Sequence, residues 1–587
     1  MKKKVGIAFA DFVTQEKISR RSGESYRLSE IITIVPLFLL AVLFLLLILR
    51  LFYLQVVRSY YYKDLADSNR TRTKILTAPR GVILDRNGKP LVSNSPAFKI
   101  LENGKARMLT KDEALELLAR GKAVENDLER QYLYGEAFAH VLGYVGQLSA
   151  EEAILPSFAA YHILDSVGKA GLEKEYESIL HGQNGKELYE VDSMAKNMRP
   201  LGREDPVAGQ NLSTTLDLRI GLATQEAMKN VKKGAVVVSD PRDGGIFAIF
   251  SKPTFDTNIF THPKEYVPTG EYATREQILM DSENQPLLDR AISGTYPPAS
   301  TFKLITAVAA LEKGEFTGDT QIEDTGILRV GAFSFGNWYF LQHGKKDGLV
   351  NVVDAISRSN DIYFYKAAES AGVDGISALA RTFGLGEYLG IDLPGEAKGT
   401  VPSPEWKKEV LSESWYLGDT YNFGIGQGYL LATPLQVNTF TVFFANEGKL
   451  YRPHLLQGKE KLLKKDFVKK EYIELVRQGM KKSCETGGVA WPFFDFKVKN
   501  SHLRIDDLNY LKAASAGAEM VQVKVGCKTG TAETGGKETS PHAWITVFAP
   551  FHKPEIVVTV LVENGGEGSS VAGPVARDIL KAYFENK

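Results

Sequence analysis

Cysteine is nearly absent: the 587 residues hold two, Cys484 and Cys527, and no Cys-x-x-Cys pair. The nine histidines are scattered and form no His-Glu-x-x-His pair. Without such spacings no protein-built zinc site is expected, and no other cofactor either. Charge of one sign is missing as well. Lys plus Arg and Asp plus Glu number 71 each, so there is no basic field to attract nucleic acid. Internal repeats and low-complexity tracts are also lacking. What remains is an ordinary folded composition, 44% hydrophobic and 24% charged. For the two cysteines, a disulfide in an oxidising exterior and a pair of small buried apolar side chains fit the sequence equally well.

Long hydrophobic runs are scarce, with one exception. Ile31 to Leu49 is uncharged and mostly apolar, bounded by Glu30 and Arg50. About 20 helical residues span the hydrocarbon core of a bilayer. The run is too long for a signal-peptide core, and Arg50, Phe52 and Tyr53 follow where a small-residue cleavage site would stand. It reads as a membrane anchor over 31–53. Lys2, Lys3, Lys4, Lys17, Arg20, Arg21 and Arg27 precede it. Basic flanks stay in the cytoplasm, so residues 1–30 are expected inside and the rest outside.

From 54 to 207 the pattern is mixed. Asn87-Gly88 is a hairpin-grade turn, and helices are expected at 111–118 and from Gly171. Nothing in this stretch forms a catalytic constellation, so a positioning or docking module is the default. From 208 the texture becomes that of an α+β domain. Ala235–Ser239 and Ile246–Phe250 read as a hairpin joined through Pro241–Gly245. Ala543–Phe548 and Ile556–Val562 read as further strands, with a closing helix near 571–584. Helical patterns at 301–313 and 352–371 lie between. Strands at both ends with helices between predict one antiparallel sheet covered by helices.

Three motifs carry chemistry. In Ser300-Thr301-Phe302-Lys303, a proline pair stops the chain and a helix begins, with Lys303 one turn beyond Ser300. Serine needs a neighbouring base, and a desolvated lysine can serve. In Ser359-Asn360-Asp361, Ser359 can relay a proton to a leaving amine, and Asp361 can orient Lys303 or a substrate amide. In Lys528-Thr529-Gly530-Thr531, an apolar run from Val523 to Cys527 ends in a cation, hydroxyls and a glycine. Lys528 suits a substrate carboxylate, Thr529 and Thr531 can hydrogen-bond it, and Gly530 lets backbone come close. The N–H groups of Ser300 and Thr531 form the natural oxyanion hole. Each motif alone is weak, since an N-cap serine or a strand end explains it as well. Together, in this order, they are the signature of penicillin-interacting serine enzymes.

The chain thus resembles the class B penicillin-binding proteins. Trp415–Thr420 and Gly424–Gly428 are similar to the glycine-rich segment this family places beside its site. Arg80-Gly81, Asp85–Gly88, Gly171–Glu173 and Tyr176-Glu177 are similar to pieces of its N-terminal pedestal. Asp361, where most relatives have Asn, resembles penicillin-binding protein 2, the elongation type. The alternative frame Arg358-Ser359-Asn360 loses the first hydroxyl. The resemblance implies an anchor, a pedestal at 54–207 and a penicillin-binding/β-lactamase-like transpeptidase domain at 208–587. It implies D,D-transpeptidation of stem peptides ending in D-Ala-D-Ala, acylation by β-lactams, and a membrane glycosyltransferase partner of the shape, elongation and division family. A division-specific transpeptidase, a D,D-carboxypeptidase or β-lactamase, and a non-catalytic β-lactam receptor are the rivals. Three departures stand out: Ala299 where relatives usually carry Gly, a pedestal abbreviated between about 98 and 140, and an inserted loop at about 497–522.

Overall fold

The computed structural model describes residues 26–585 apart from 103–104, 164, 193–196, 263–265, 500–516 and 536–538. The expected cytoplasmic tail therefore lies almost wholly outside the described residues. The chain forms two compact units, Met1–Leu76 with Lys186–Asp205, and Thr77–Gly185 with Pro206–Lys587.

The first unit is led by helix α1 (Tyr26–Phe52). Its stretch from Ile34, continued through the following π turn to Val57, is apolar and long enough to cross a membrane, with none of it buried in protein. Leu37, Phe38, Leu39 and Leu40 are all exposed, which suits a lipid environment and would be costly in water. A second helix, Ser59–Arg70, leads into a three-stranded sheet of Thr71–Leu76, Gly185–Val191 and Asn197–Glu204.

In the second unit, residues 77–185 and 206–587 are one compact body. Leu212–Ser213 pairs in parallel with Ile83–Leu84, stitching the start of the catalytic region to the pedestal. The expected turn is present, with Gly88 at φ +80°, and the helices predicted in the pedestal are Lys111–Ala119 and Gly171–Glu175.

The catalytic region is built on a five-stranded antiparallel sheet of β1 (Gly234–Ser239), β2 (Ile246–Lys252), β3 (Gly526–Ala532), β4 (His542–Ala549) and β5 (Ile556–Val562). The order is β2-β1-β5-β4-β3, so strands from both ends of the domain interleave and β3 is an edge. The interior strands are buried along their whole length, apart from the half-buried His542 at the start of β4, because helices cover both faces. Side chains alternate accordingly. Trp544, Phe548, Val557 and Leu561 join one core, and Ile545, Val547, Val558 and Val560 the other.

The helices that matter for the site are α2 (Lys303–Lys313), α3 (Val352–Arg358), α4 (Asp361–Thr382), α5 (Pro434–Ala445), α6 (Lys470–Ser483) and α7 (Gly573–Glu585). Helix α5 is buried on every side and packs against β1, β4 and β5. Its polar residues are satisfied: Asn438 accepts from the Ser239 hydroxyl at 2.5 Å, and Thr441 accepts from Thr546 at 2.9 Å. The two cysteines are joined, Cys484 to Cys527, with Cα atoms 6.0 Å apart. The inserted loop is anchored by a short antiparallel pair, Lys497–Lys499 with Met520–Gln522. Its interior, 500–516, lies outside the described residues.

Candidate active site

Ala299–Thr301 forms a single 3-10 turn, and α2 starts at Lys303. Ala299 holds φ at +50°, a region that strains any L-residue with a side chain. The turn is held from outside. Ala299 N–H donates to Gly426 O at 2.8 Å, and the Thr301 hydroxyl donates to Pro298 O at 2.6 Å. A Cβ on Gly426 would lie 2.1 Å from Ala299 O, so a glycine is required for that approach. Ser300 is half-buried and Lys303 is fully buried.

The helical pattern expected over 352–371 is interrupted at the polar trio. Ser359 caps α3 in the left-handed region at φ +54°. The Asn360 side chain accepts from Tyr363 N–H at 2.9 Å and starts α4. Short polar side chains here bind backbone in place of helix continuation. Ser359 is thereby set on a corner between two helices.

Strand β3 contains the third motif in its interior. The apolar run from Val523 had placed that motif at a strand end; pairing with β4 begins only at Gly526 opposite Phe548. Gly530 lets the Ser300 turn close onto the strand, since a Cβ there would lie 3.2 Å from Pro298 O and 3.3 Å from Thr301 Cγ2. Gln427 Nε2 donates to Thr531 O at 3.2 Å, so the glycine-rich segment touches both the turn and the strand.

The lysines of the first and third motifs converge on Ser359. Lys303 Nζ donates to Ser359 O at 2.8 Å and to Asp361 Oδ1 at 2.6 Å, and lies 3.5 Å from Ser359 Oγ. Lys528 Nζ donates to Ser359 Oγ at 2.9 Å and to Thr529 O at 3.0 Å. Lys528 is fully buried, and its nitrogen is directed at Ser359 from within. Burial pushes the Lys303 ammonium below its ordinary pKa, while Asp361 opposes that shift. Burial pushes Lys528 down much further, and the charge on Lys303 adds to it. Two ammonium groups around one hydroxyl repel, so the arrangement favours a neutral amine.

Asp361 is also tied to a segment that no sequence pattern marked. Its Oδ2 accepts from Trp338 N–H at 2.9 Å, and its own N–H donates to Asn337 Oδ1 at 3.1 Å. Asn337 in turn donates to Asp324 Oδ2 at 2.8 Å. These residues lie in a stretch with no periodicity or spacing to single them out. Among the described residues no cluster of His, Cys, Asp and Glu could hold a metal ion.

The penicillin-binding protein transpeptidase domain family matches residues 234–581, and the penicillin-binding protein dimerisation domain family matches 105–214. The chain belongs to the class B penicillin-binding proteins. Within that family it is 32% identical to the peptidoglycan D,D-transpeptidase MrdA of Haemophilus influenzae, over 92% of this chain and 89% of that one. It is 31% identical to MrdA of Escherichia coli, covering 90% of each. Among solved structures it is similar to penicillin-binding protein 2 of Helicobacter pylori in complex with MreC, with a TM-score of 0.72, 27% identity, and coverage of 87% and 98%. It is also similar to a chain of a peptidoglycan synthase complex, with a TM-score of 0.70, 29% identity, and coverage of 94% and 98%.

Proposed function

We propose that Ser300 carries the acyl group in peptidoglycan D,D-transpeptidation, and that the enzyme serves wall synthesis during cell elongation. The observation that carries this reading is the meeting of Lys303, Ser359, Asp361 and Lys528 within hydrogen-bonding distance beside the Ser300 turn. Lys303, whose pKa burial lowers against the pull of Asp361, takes the Ser300 proton as Oγ attacks the carbonyl between the two terminal D-alanines. The N–H groups of Ser300 and Thr531 receive the oxyanion. The C–N bond breaks, and the departing D-alanine amine is protonated through Ser359. An amine from a neighbouring stem peptide then attacks the ester, forms the crosslink and returns the proton to Ser300 Oγ. Thr529 and Thr531 hold the substrate carboxylate, with Gly530 allowing its approach and Lys528 supplying charge from behind when protonated. A β-lactam enters by the same route and leaves a stable ester on Ser300.

The N-terminus is assigned to the cytoplasm and the second unit to the exterior. The basic residues ahead of α1 support this, and so does the Cys484–Cys527 disulfide, which belongs in an oxidising compartment. A membrane glycosyltransferase of the shape, elongation and division family is the proposed partner, reached by the lipid-exposed face of α1 and by the pedestal. The similarity to a chain of a peptidoglycan synthase complex supports it.

The test is to label the detergent-solubilised full chain with a fluorescent penicillin beside Ser300→Ala, then locate the adduct by mass spectrometry. Stable label on Ser300, absent from the folded Ala variant, is the expected result. Label on another residue, or none on folded enzyme, overturns the assignment. Fast loss of label with hydrolysed drug would make the enzyme a hydrolase.

A further inference from the structure

Strand β3 bears Lys528, Thr529 and Thr531, yet it is an edge strand with a strand neighbour on one side only. One ladder fixes a strand less firmly than two, and Lys528 Nζ must nevertheless meet Ser359 Oγ at 2.9 Å. The residue immediately before Lys528 is Cys527, bonded to Cys484 at the C-cap of α6. Both sulfurs sit in the core, with their residues 0% and 3% exposed.

The same end of α6 carries the helix that presents Ser359. A Cβ on Gly479 would lie 2.6 Å from Ile356 Cβ, so α6 and α3 are in direct backbone-to-side-chain contact. Lys482 pairs with Asp354. Arg358, the residue before Ser359, donates from Nη1 to Gly487 O at 2.9 Å. Residues 479–487 therefore form a shared body. It is attached on one side to α3 and Ser359 by packing and polar bonds, and on the other to β3 and Lys528 by a covalent bond.

We infer that the Cys484–Cys527 disulfide is a positioning element for the reaction, setting Lys528 against Ser359 through α6. Cys484 and Cys527 touch neither substrate nor reacting atoms; they act through Lys528. The inference rests on the assignment of Ser359 and Lys528 to the site. A misplacement of about 1 Å costs roughly a hundredfold in rate in well-oriented sites, so even partial relaxation of β3 is measurable.

The experiment is a double-mutant cycle on the full chain in detergent, reading the second-order rate of acylation by a fluorescent penicillin. Replacing both cysteines (Cys484→Ala with Cys527→Ala) is expected to slow acylation about tenfold or more while the protein stays folded at the assay temperature. In a Ser359→Ala background, where the contact to be positioned is gone, the same pair of changes should slow acylation by a clearly smaller factor, since only the other contacts of β3 remain to be positioned. A purely stabilising crosslink would give an unchanged rate in folded enzyme, or the same fold loss in both backgrounds, and either result overturns the inference. If the cysteine pair does not fold, Lys482→Ala loosens the other side of the shared body. That exposed change is expected to slow acylation about twofold, again by a smaller factor without Ser359, and no slowing overturns the inference. Should Ser359→Ala itself leave acylation untouched, the site assignment fails instead, so the two failures are distinct.

Discussion

Lys303 Nζ lies 2.6 Å from Asp361 Oδ1, with the lysine side chain fully buried and the aspartate 11% exposed. The nucleophile's proposed base thus has a carboxylate partner. The same carboxylate accepts from Trp338 N–H, so one residue links base and neighbouring loop.

The pH dependence of acylation should report this pair. Burial lowers the Lys303 pKa and Asp361 raises it. Asp361→Asn removes the opposing contribution, so the amine stays neutral, and able to accept a proton, at lower pH. The rising limb of the acylation rate against pH should move toward acid. The plateau should fall severalfold, because an amide offers one acceptor where the carboxylate offers two, and general-base steps are worth a hundredfold or more. A stopped-flow profile with a chromogenic cephalosporin measures both. A limb moved toward alkali would count against Lys303 as the base.

Ala299 gives a second test. Its left-handed backbone costs an L-residue roughly 1–2 kcal/mol. Ala299→Gly relieves that, but it loses about 0.8 kcal/mol of methyl burial and about 0.5–1 kcal/mol of chain entropy. The changes cancel, so stability should alter by less than about 1 kcal/mol and acylation should persist. Ala299→Val, β-branched in the same conformation, should be far worse in both respects. Thermal unfolding with penicillin labelling at low temperature checks the pair.

The pedestal should depend on Glu173. Its carboxylate, 0% exposed, pairs with Arg80 at 2.6 Å and with Arg130 at 2.7 Å. Burial alone would push the carboxyl up; the two guanidinium groups outweigh it and hold Glu173 below its ordinary value. That stability is present above the ordinary carboxylate pKa and is lost as pH falls through the depressed one. Glu173→Ala strands the buried Arg130 and leaves Arg80 with Glu177 alone, and should cost about 3–5 kcal/mol, read from the shift in thermal unfolding of the full chain. A loss under about 1 kcal/mol would mean that water reaches the cluster.

Much of this was readable from sequence, for physical reasons. Ser300 and Lys303 are close in sequence and lie one turn apart, and the β1–β2 hairpin announces itself through its turn residues. Arg80 and Glu173 stood out only through family resemblance, and the fold brings them into one ion cluster. Asn337 and Trp338 left no trace, because a backbone N–H aimed at Asp361 has no residue-type signature. The strand limits of β3 were hidden too: Val523 and Val525 look like strand but lie outside the ladder. The cysteine pairing was open until Cα atoms 43 residues apart in sequence were found 6.0 Å apart in space.

The free edge of β3 also sets a reading frame. In an extended chain successive carbonyls point in opposite directions and side chains alternate faces. A peptide laid along Thr529–Thr531 out of step by one residue would turn its scissile carbonyl away from Ser300 and its D-side chain to the wrong face. With Ser300 as the proposed nucleophile, frame as well as chemical identity would decide which bond is cut. A bicyclic drug, with hardly any backbone to misalign, escapes that proofreading.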